Sequence, residues 1–273
     1  KGLTTAARRA FRALVDTWPY HYYGLQARAR LVELGGEGDV PAPPPRQFPV
    51  LSLDASVPTR AEFKAAMVLA RAGLVGDAAW YLRRLLGNQR RDRGLALLAM
   101  RASAAAGDYG AVARLIVTHF ASFMQRPAEG LPADFHQLVY PRPFVDTVTS
   151  AAGGRDIDPA FMFSLMRQES RFDPAARSLV GALGLFQIMP YTATALGPRS
   201  GLDHLSGADF ENETVLLLPP VNAAIAATLA GDLFTLFGGA LAPVIASYNA
   251  GEERVAIWWA SARGLPEDLF VDT

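Results

Sequence analysis

The chain has 273 residues, with 26 basic and 26 acidic side chains and a formal net charge of zero. This balance argues against a nucleic-acid partner and against electrostatic attachment to a charged membrane surface. The length allows two or three small domains, no cysteine is present to form a disulfide, and no apolar run approaches the roughly 20 residues of a membrane-spanning helix.

The first residues predict two helices followed by a rigid connector. Residues 6–15 form an amphipathic pattern that ends before a Trp-Pro pair, and residues 20–34 form a second helical pattern with Gly35 as its stop. The segment 40–49 is rich in proline, with three prolines in succession. Such a composition predicts an extended and fairly stiff chain.

The next part of the chain predicts a short helical repeat. A capping-box pattern, Thr-Arg-Ala-Glu at 59–62, precedes two Ala-rich helical hairpins at 63–86 and 95–116. Gly76 and Gly107, each followed by Asp, occupy similar places in the two hairpins, about 31 residues apart. Two units of this kind need neighbours to bury their apolar faces.

The most informative residue is a glutamate at the end of an apolar helix. An Asp-Pro pair at 158–159 is a good helix start, and Met162, Leu165, Met166 and Glu169 then fall on one helix face. Burial among apolar side chains penalises the charged form, so the sequence predicts a raised pKa for Glu169 and a role as general acid. A plainer interpretation is a glutamate at the edge of a buried stripe, neutralised by a nearby arginine.

The region after this helix offers no second acid. Residues 174–202 contain neither Asp nor Glu, and Asp173 is only four residues from Glu169. Ordinary glycoside hydrolases place two carboxylates on either side of a sugar ring. A single carboxyl group can still carry both proton transfers if the substrate supplies its own nucleophile.

Three short motifs, in order, resemble those of a known family. Residues 140–259 resemble the catalytic domain of the soluble lytic transglycosylases, which cleave bacterial peptidoglycan. The motifs are Glu169-Ser170 with Phe172 and Ser178, Gly-Leu-Phe-Gln at 184–187 leading into Met189-Pro190, and Ser-Tyr-Asn-Ala-Gly at 247–251.

The resemblance implies a fold and a reaction. The fold class would be all-α, with a lysozyme-like catalytic domain preceded by a helical-hairpin linker domain and the end of an α-superhelical domain. The reaction would cleave, without water, the β-1,4 bond between N-acetylmuramic acid and N-acetylglucosamine, leaving 1,6-anhydromuramic ends. Glu169 would be the single general acid and base, and no cofactor or metal is implied.

The resemblance also implies the residues that bind the glycan. Ser178, Phe186, Gln187, Met189, Tyr248 and Asn249 match positions that line the cleft in the family. Structural alternatives exist for three of them: Ser178 could cap a turn, Met189 could be core, and Tyr248 could satisfy a backbone carbonyl.

The chain departs from the family pattern at several positions. Phe186 replaces a usual Met and Ser247 a usual Ala, while Ala226 and Thr228 stand where a Gly and a Tyr are expected. The resemblance also predicts a further C-terminal segment, with a Glu-Thr pair and a Tyr, beyond Thr273.

The domain order predicted from these features has four parts. Residues 1–40 would end a superhelical domain, 41–53 form the connector, 54–133 the linker domain, and 134–273 a catalytic domain that is incomplete at its C-terminal end. Peptidoglycan glycan strands are the expected partner, with no nucleic acid and no membrane span, and a place in the bacterial periplasm. The helical N-terminal half leaves room for cell-wall protein partners.

Two other functions stay open at this stage. A muramidase-type hydrolase would need a second carboxylate, such as Asp203 or Asp209, in the cleft. A peptidoglycan-binding scaffold without turnover would be consistent with the changes at Ala226 and Thr228 and with the missing C-terminal segment.

Overall fold

The computed structural model describes residues 2–35, 44–88, 92–124, 128–262 and 265–271. The chain divides into two compact units, Lys1–Pro141 and Arg142–Thr273. Helices dominate both units, and the described residues contain strands only as one pair of two residues each. The predicted all-α class is therefore confirmed. The four-part domain order stays a prediction, and its linker–catalytic boundary at 133/134 lies before the observed division.

The first unit begins with a pair of packed helices. They are α1 (Gly2–Thr17) and α2 (Tyr22–Glu33), which confirms the two helices predicted here. Val15, Ala27 and Leu31 form a small apolar core between them. Gly24 is required because a Cβ there would lie 1.8 Å from the carbonyl oxygen of Trp18.

The described end of the predicted connector is extended. Strand β1 (Arg46–Gln47) pairs in parallel with β2 (Ala128–Glu129). Phe48 follows β1 into the core, where its ring lies 5.9 Å from that of Phe120 and 5.3 Å from that of Phe135. Residues 40–43 of the connector lie outside the described residues.

Two helical hairpins and two short helices complete the first unit around one apolar core. Leu85, Leu95 and Met100 are fully buried in that core. The helices are α3 (Ala61–Arg71), α4 (Val75–Asn88), α5 (Arg93–Ala105), α6 (Tyr109–His119), α7 (Ala121–Met124) and α8 (Phe135–Val139).

The repeat exists, but the predicted register was wrong. Gly107 has φ 73° just after α5, and its counterpart after α3 is Gly73 with φ 79°, not Gly76. Gly76 instead lies inside the first turn of α4. Gly73 and Gly107, which both have positive φ angles, follow the C-termini of α3 and α5. They are about 34 residues apart, which is the period of tetratricopeptide repeats.

The predicted capping box at 59–62 was also wrong. Thr59 ends a 3-10 turn, Val57–Thr59, and its hydroxyl donates to the Ser56 carbonyl over 2.7 Å. The N-cap of α3 is therefore Arg60, whose side chain makes no capping bond. Pro58 favours this turn because its fixed φ suits the start of a helical segment.

The second unit is built around one long buried helix. Helix α13 packs against α9, α11 and α14, and buried residues occur on all its sides, as expected for a central helix. The helices are α9 (Val145–Gly153), α10 (Pro159–Glu169), α11 (Pro190–Leu196), α12 (Glu213–Leu216), α13 (Pro219–Leu236), α14 (Leu241–Ala250), α15 (Glu252–Ser261) and α16 (Glu267–Phe270).

The end of the second unit holds α14 in place. Helices α14 and α15 pack as a hairpin, with Val244 and Val255 fully buried. A side-chain oxygen of Glu267 in α16 accepts a hydrogen bond from the Ala242 N–H in the first turn of α14. Among the described residues, no helix has the length and apolar character needed to cross a membrane.

Candidate active site

Helix α10 carries Glu169 as its last residue. As predicted, Asp158 is the N-cap and Pro159 the first helical residue, and Asp158 accepts from the Ala160 N–H over 2.8 Å. Met162 and Met166 on the same face are fully buried. The helix therefore brings Glu169 to the edge of the apolar core.

The surroundings of Glu169 favour its neutral form. Its side chain is half-buried, and desolvation raises the pKa of the carboxyl group above its ordinary value. Among the described residues, no ion pair or hydrogen bond to this carboxyl group is found. The predicted direction of the pKa shift is confirmed, and the arginine partner of the plainer interpretation is not found in that part of the chain.

The other candidate carboxylates are occupied or exposed. Asp173 is exposed and accepts from the Ala175 N–H over 2.9 Å. Asp209 accepts from the backbone N–H and the hydroxyl of Ser206, each over 2.7 Å, and these bonds lower its pKa. Asp203 is exposed. Asp209 therefore forms the capping box of a 3-10 turn.

A compact loop, residues 176–188, follows Glu169 in the chain and is here called the site loop. Antiparallel bridges join Arg177 to Leu183 and Leu183 to Ile188. Leu183 and Ile188 exchange both backbone hydrogen bonds, over 3.0 and 2.9 Å. The Gly-Leu-Phe-Gln motif at 184–187 is therefore the turn between two bridged residues.

Two side chains, one in α13 and one just after α10, fix this turn. Asn222 of α13 accepts from the Phe186 N–H over 2.8 Å and donates to the Leu183 carbonyl over 2.9 Å. Ser170, next to Glu169, donates to the Leu185 carbonyl over 2.8 Å. Neither residue was among the predicted site residues. The available signals were the match of Asn222 to an asparagine of the family pattern and the serine of the first motif.

Tyr248 bonds to the site loop and lies near Glu169. Its hydroxyl donates to the Phe186 carbonyl over 3.1 Å. Burial raises the pKa of Tyr248, and the nearby charge of Glu169 raises it further, so the phenol stays protonated. The alternative role considered for Tyr248, a hydrogen bond to a backbone carbonyl, is therefore present. Tyr248 makes this bond while it lies near Glu169.

The side chains of Gln187 and Ser178 each make hydrogen bonds within the site loop but keep some donor or acceptor capacity free. Gln187 has φ 50°, and its side-chain N–H donates to the Gly184 carbonyl over 2.9 Å, which leaves its amide oxygen as an acceptor. The Ser178 hydroxyl accepts from the Ala182 N–H over 2.8 Å, and it can still donate one hydrogen bond.

The remaining predicted site residues differ in exposure. Phe186 is fully buried, so its contribution to this arrangement is made by its backbone groups. Met189 is half-buried at the N-cap of α11, and Asn249 is exposed near the end of α14. The binding roles of these three residues stay predictions.

Backbone strain concentrates around Glu169. Arg171 and Phe172, directly after α10, have φ 54° and 68°, which is costly for side chains with a Cβ. Gln187 in the site loop shares this conformation. Such residues cluster at functional sites because the surrounding structure must hold them there.

The site contains no evident place for a metal ion. Among the described residues, no group of three or more His, Asp or Glu side chains is arranged to hold one. The groups that the described residues bring together are one carboxyl group with a raised pKa, a phenol and several backbone and amide groups.

Comparison with known proteins assigns the second unit to a family. Residues 146–271 match the family model described as Transglycosylase SLT domain. The soluble lytic murein transglycosylase of Salmonella typhimurium is 34% identical over 125 residues, which is 46% of this chain and 19% of that protein. The protein of the same description from Escherichia coli K12 is 31% identical over 125 residues, with the same coverage.

Solved structures resemble a larger part of the chain. The 70 kDa soluble lytic transglycosylase of Escherichia coli gives a TM-score of 0.69 at 21% identity, covering 96% of this chain and 38% of that one. An inactive mutant of the lytic transglycosylase Slt from Pseudomonas aeruginosa gives 0.64 at 22% identity, covering 98% and 42%. At these identities the likeness concerns the fold.

The chain thus spans about a fifth of the length of the curated relatives. The match at 146–271 includes Glu169, the site loop and Tyr248. The second unit therefore carries a Transglycosylase SLT domain similar to that of the soluble lytic transglycosylases, as its three motifs predicted.

Proposed function

We propose that this protein is a lytic transglycosylase that cleaves peptidoglycan between N-acetylmuramic acid and N-acetylglucosamine. The observation that carries the proposal is a single half-buried carboxyl group, Glu169, whose pKa is raised by desolvation. The relatives' description as soluble lytic murein transglycosylases supports the same substrate.

In the first step, Glu169 gives its proton to the glycosidic oxygen, and the bond from that oxygen to the anomeric carbon of the muramic acid breaks. The raised pKa suits this step because the acid keeps its proton to a higher pH than an exposed glutamate does. The positive charge that develops on the anomeric carbon is stabilised by the N-acetyl oxygen of the same sugar.

In the second step, the ionised Glu169 takes the proton of the C6 hydroxyl. The C6 oxygen then bonds to the anomeric carbon and closes a 1,6-anhydro ring, so Glu169 is protonated again and no water is consumed. One carboxyl group is sufficient for both steps. Asp209 is bonded within its capping box and Asp173 is exposed, which agrees with a mechanism that needs only one carboxyl group.

The neighbouring polar groups are proposed to bind the glycan. The free acceptor of Gln187 and the free donor capacity of Ser178 suit the N–H and C=O of acetamido groups. Met189 and Asn249 would line the cleft beside them. The enzyme would act in the bacterial periplasm, because peptidoglycan lies there.

The test is digestion of purified peptidoglycan, with mass spectrometry of the released muropeptides. Wild type, Glu169→Gln and the control Glu211→Gln are compared, Glu211 being an exposed residue of a 3-10 turn. We expect 1,6-anhydro products, one water lighter than reducing ends, from wild type and the control. Glu169→Gln should be slower by at least about 10²-fold, the lower range for a general acid.

Other products would replace the proposal. Reducing ends would indicate hydrolysis and a second carboxylate brought to the cleft. Binding to peptidoglycan without any product, from folded wild-type protein, would indicate a scaffold.

A further inference from the structure

The site loop contains a tight turn, residues 178–181, here called the apolar turn. The Gly181 N–H donates to the Ser178 carbonyl over 3.2 Å, which closes the turn. Leu179 and Val180 occupy its two central positions. Leu179 is fully exposed, and Val180 is 77% exposed. The turn therefore presents two apolar side chains to solvent at successive positions.

Neither of these side chains is explained by the conformation of the turn. Central turn positions are dominated by Gly, Pro, Asn, Asp and Ser, whereas Val is typical of strands. Because both Leu179 and Val180 are exposed, burial in the core does not account for them either. Single exposed apolar residues are common, but two in succession at a turn contradict the local preference. Such conflicts are expected at functional sites.

The apolar turn is held in one geometry from both sides. The Ser178 N–H donates to the Ala182 carbonyl over 2.9 Å, and the Ala182 N–H donates to the Ser178 hydroxyl over 2.8 Å. The bridge between Arg177 and Leu183 continues this pairing. Because the backbone is already fixed, a ligand that contacts the two side chains pays little entropy to order them.

The polar side-chain groups at the turn are few. Arg177 is the charged residue nearest in sequence, and it is paired with Glu213 of α12. The Ser178 hydroxyl accepts from the Ala182 N–H and can still donate one hydrogen bond. The turn therefore combines one side-chain donor with an apolar pair directly beside it.

This combination matches the substituents of the muramic acid ring. N-acetylmuramic acid carries its acetamido group on C2 and a lactyl ether on the neighbouring C3. The lactyl arm has a methyl group and, in peptidoglycan, continues into a peptide stem. N-acetylglucosamine has the same acetamido group but only a hydroxyl on C3. An apolar pair beside a donor for the acetamido group can therefore distinguish the two sugars through the lactyl arm.

We propose that Leu179 and Val180 are specificity-determining residues that contact the lactyl arm of N-acetylmuramic acid and the start of its peptide stem. The inference rests on the proposed function, because it takes Ser178 to bind the acetamido group of the same sugar. It deepens that function by assigning the choice of muramic acid over N-acetylglucosamine to the apolar turn.

The experiment measures binding by calorimetry in the Glu169→Gln protein, so that the ligands stay intact. The apolar turn is compared with Leu179→Ser/Val180→Asn and with the control Leu236→Ser, a residue 55% exposed at the end of α13. Ser and Asn favour turns, so the double variant should keep its melting temperature. The ligands are a stem-bearing peptidoglycan tetrasaccharide, the same tetrasaccharide freed of stems by an amidase, and chitotetraose, which has no lactyl arm.

We expect the double variant to bind the stem-bearing tetrasaccharide about 5- to 10-fold more weakly, because apolar contacts with the arm are lost. The loss should be about twofold for the stem-free tetrasaccharide, whose lactyl arm ends in a carboxylate that apolar side chains disfavour. Affinity for chitotetraose should not change. Leu236→Ser should leave all three affinities as they are.

Two results would overturn the inference directly: an unchanged affinity for the stem-bearing ligand, or an equal loss for all three ligands. Dimers in sedimentation velocity that the double variant abolishes, with glycan affinity unchanged, would instead assign the turn to contact between two copies of the chain. Peptidoglycan digestion by the protein with Glu169 intact separates the two proposals. Selective loss of binding without 1,6-anhydro products would support the role of the turn and refute the proposed function. Equal kcat/KM with and without the double substitution, with 1,6-anhydro products from both, would refute the inference alone.

Discussion

The two units of the chain differ in where they place strained backbone. In the described part of the first unit, positive φ angles occur only at glycine, whereas the second unit adopts them at non-glycine residues as well. The glycines of the first unit are Gly35, Gly73, Gly107 and Gly130, and the non-glycine residues of the second are Phe144, Asp156, Arg171, Phe172 and Gln187. In the first unit, positive φ angles fall on glycine, the residue that adopts them without strain. In the second unit, the fold imposes them on residues that disfavour them, which is typical of functional sites.

Buried polar groups follow the same division. Ser103 in the first unit accepts from the Arg83 guanidinium over 2.8 Å, and Arg83 also pairs with Asp108. In the second unit, Asn222 is fully bonded, while the buried hydroxyl of Ser247 has no hydrogen-bond partner among the described residues. Ser103 therefore helps to join helices of the first unit, whereas Asn222 holds the site loop of the second.

The largest expected effect comes from adding one methyl group to a left-handed glycine in each unit. Gly184→Ala would place its Cβ against Asn222, whereas Gly107→Ala has φ 73° and nothing within 4 Å. We expect a loss of about 2–4 kcal/mol for Gly184→Ala and about 1 kcal/mol for Gly107→Ala. Urea unfolding measures both, and muropeptide release should fall only for Gly184→Ala.

Equal losses of stability in the two alanine variants would contradict the contrast between the units. They would mean that the backbone angle alone sets the cost and that the contact with Asn222 relaxes without penalty.

Removal of one phenolic hydroxyl in each unit gives the next largest effect. Tyr248→Phe loses the bond to the Phe186 carbonyl, and we expect kcat to fall about 10-fold. Tyr81→Phe is the matched change in the first unit, where the ring packs against the apolar core and its hydroxyl has no hydrogen bond among the described residues. Steady-state kinetics should show no change for Tyr81→Phe. An equal rate for both variants would remove Tyr248 from the mechanism.

The contrast between the units also explains what the sequence could predict. The first six helices, the start of α10 at Asp158 and the raised pKa of Glu169 follow from local patterns, and all are confirmed. The capping box at Thr59 failed because Pro58 draws that residue into the preceding turn. The repeat register failed because Gly76 and Gly107 share a sequence neighbour but not a backbone conformation.

The parts that were missed depend on contacts between distant residues. Asn222 lies 36 residues from Phe186, and Tyr248 lies 62 residues from it, so no local pattern relates them. Ser170 likewise bonds to a carbonyl 15 residues away. Motif resemblance brought Tyr248 into the predicted site, but it could not show that its hydrogen goes to a backbone carbonyl.

A smaller effect, of opposite sign in the two units, is expected from two buried serines. Ser247→Ala removes an unbonded hydroxyl and should stabilise the protein by about 1 kcal/mol, whereas Ser103→Ala removes the acceptor of Arg83 and should destabilise it by about the same amount. Calorimetric melting temperatures measure both. Destabilisation by Ser247→Ala would show that its hydroxyl is satisfied in solution.

The smallest effect concerns the dependence of stability on pH, because Glu169 is only half-buried. Burial raises its pKa in the folded protein above the ordinary value of 4.5, so the folded state keeps the proton over a range where the unfolded state has lost it. The stabilisation linked to this proton is fully present below the unfolded pKa and is lost as pH rises through the folded pKa. Glu169→Gln lacks this loss, so its melting temperature should exceed that of wild type by a few degrees at neutral pH, with the difference shrinking below about pH 4.5. The exposed Glu211→Gln should follow wild type at every pH. A difference between wild type and Glu169→Gln that does not change with pH would mean that packing, and not the proton on Glu169, distinguishes them.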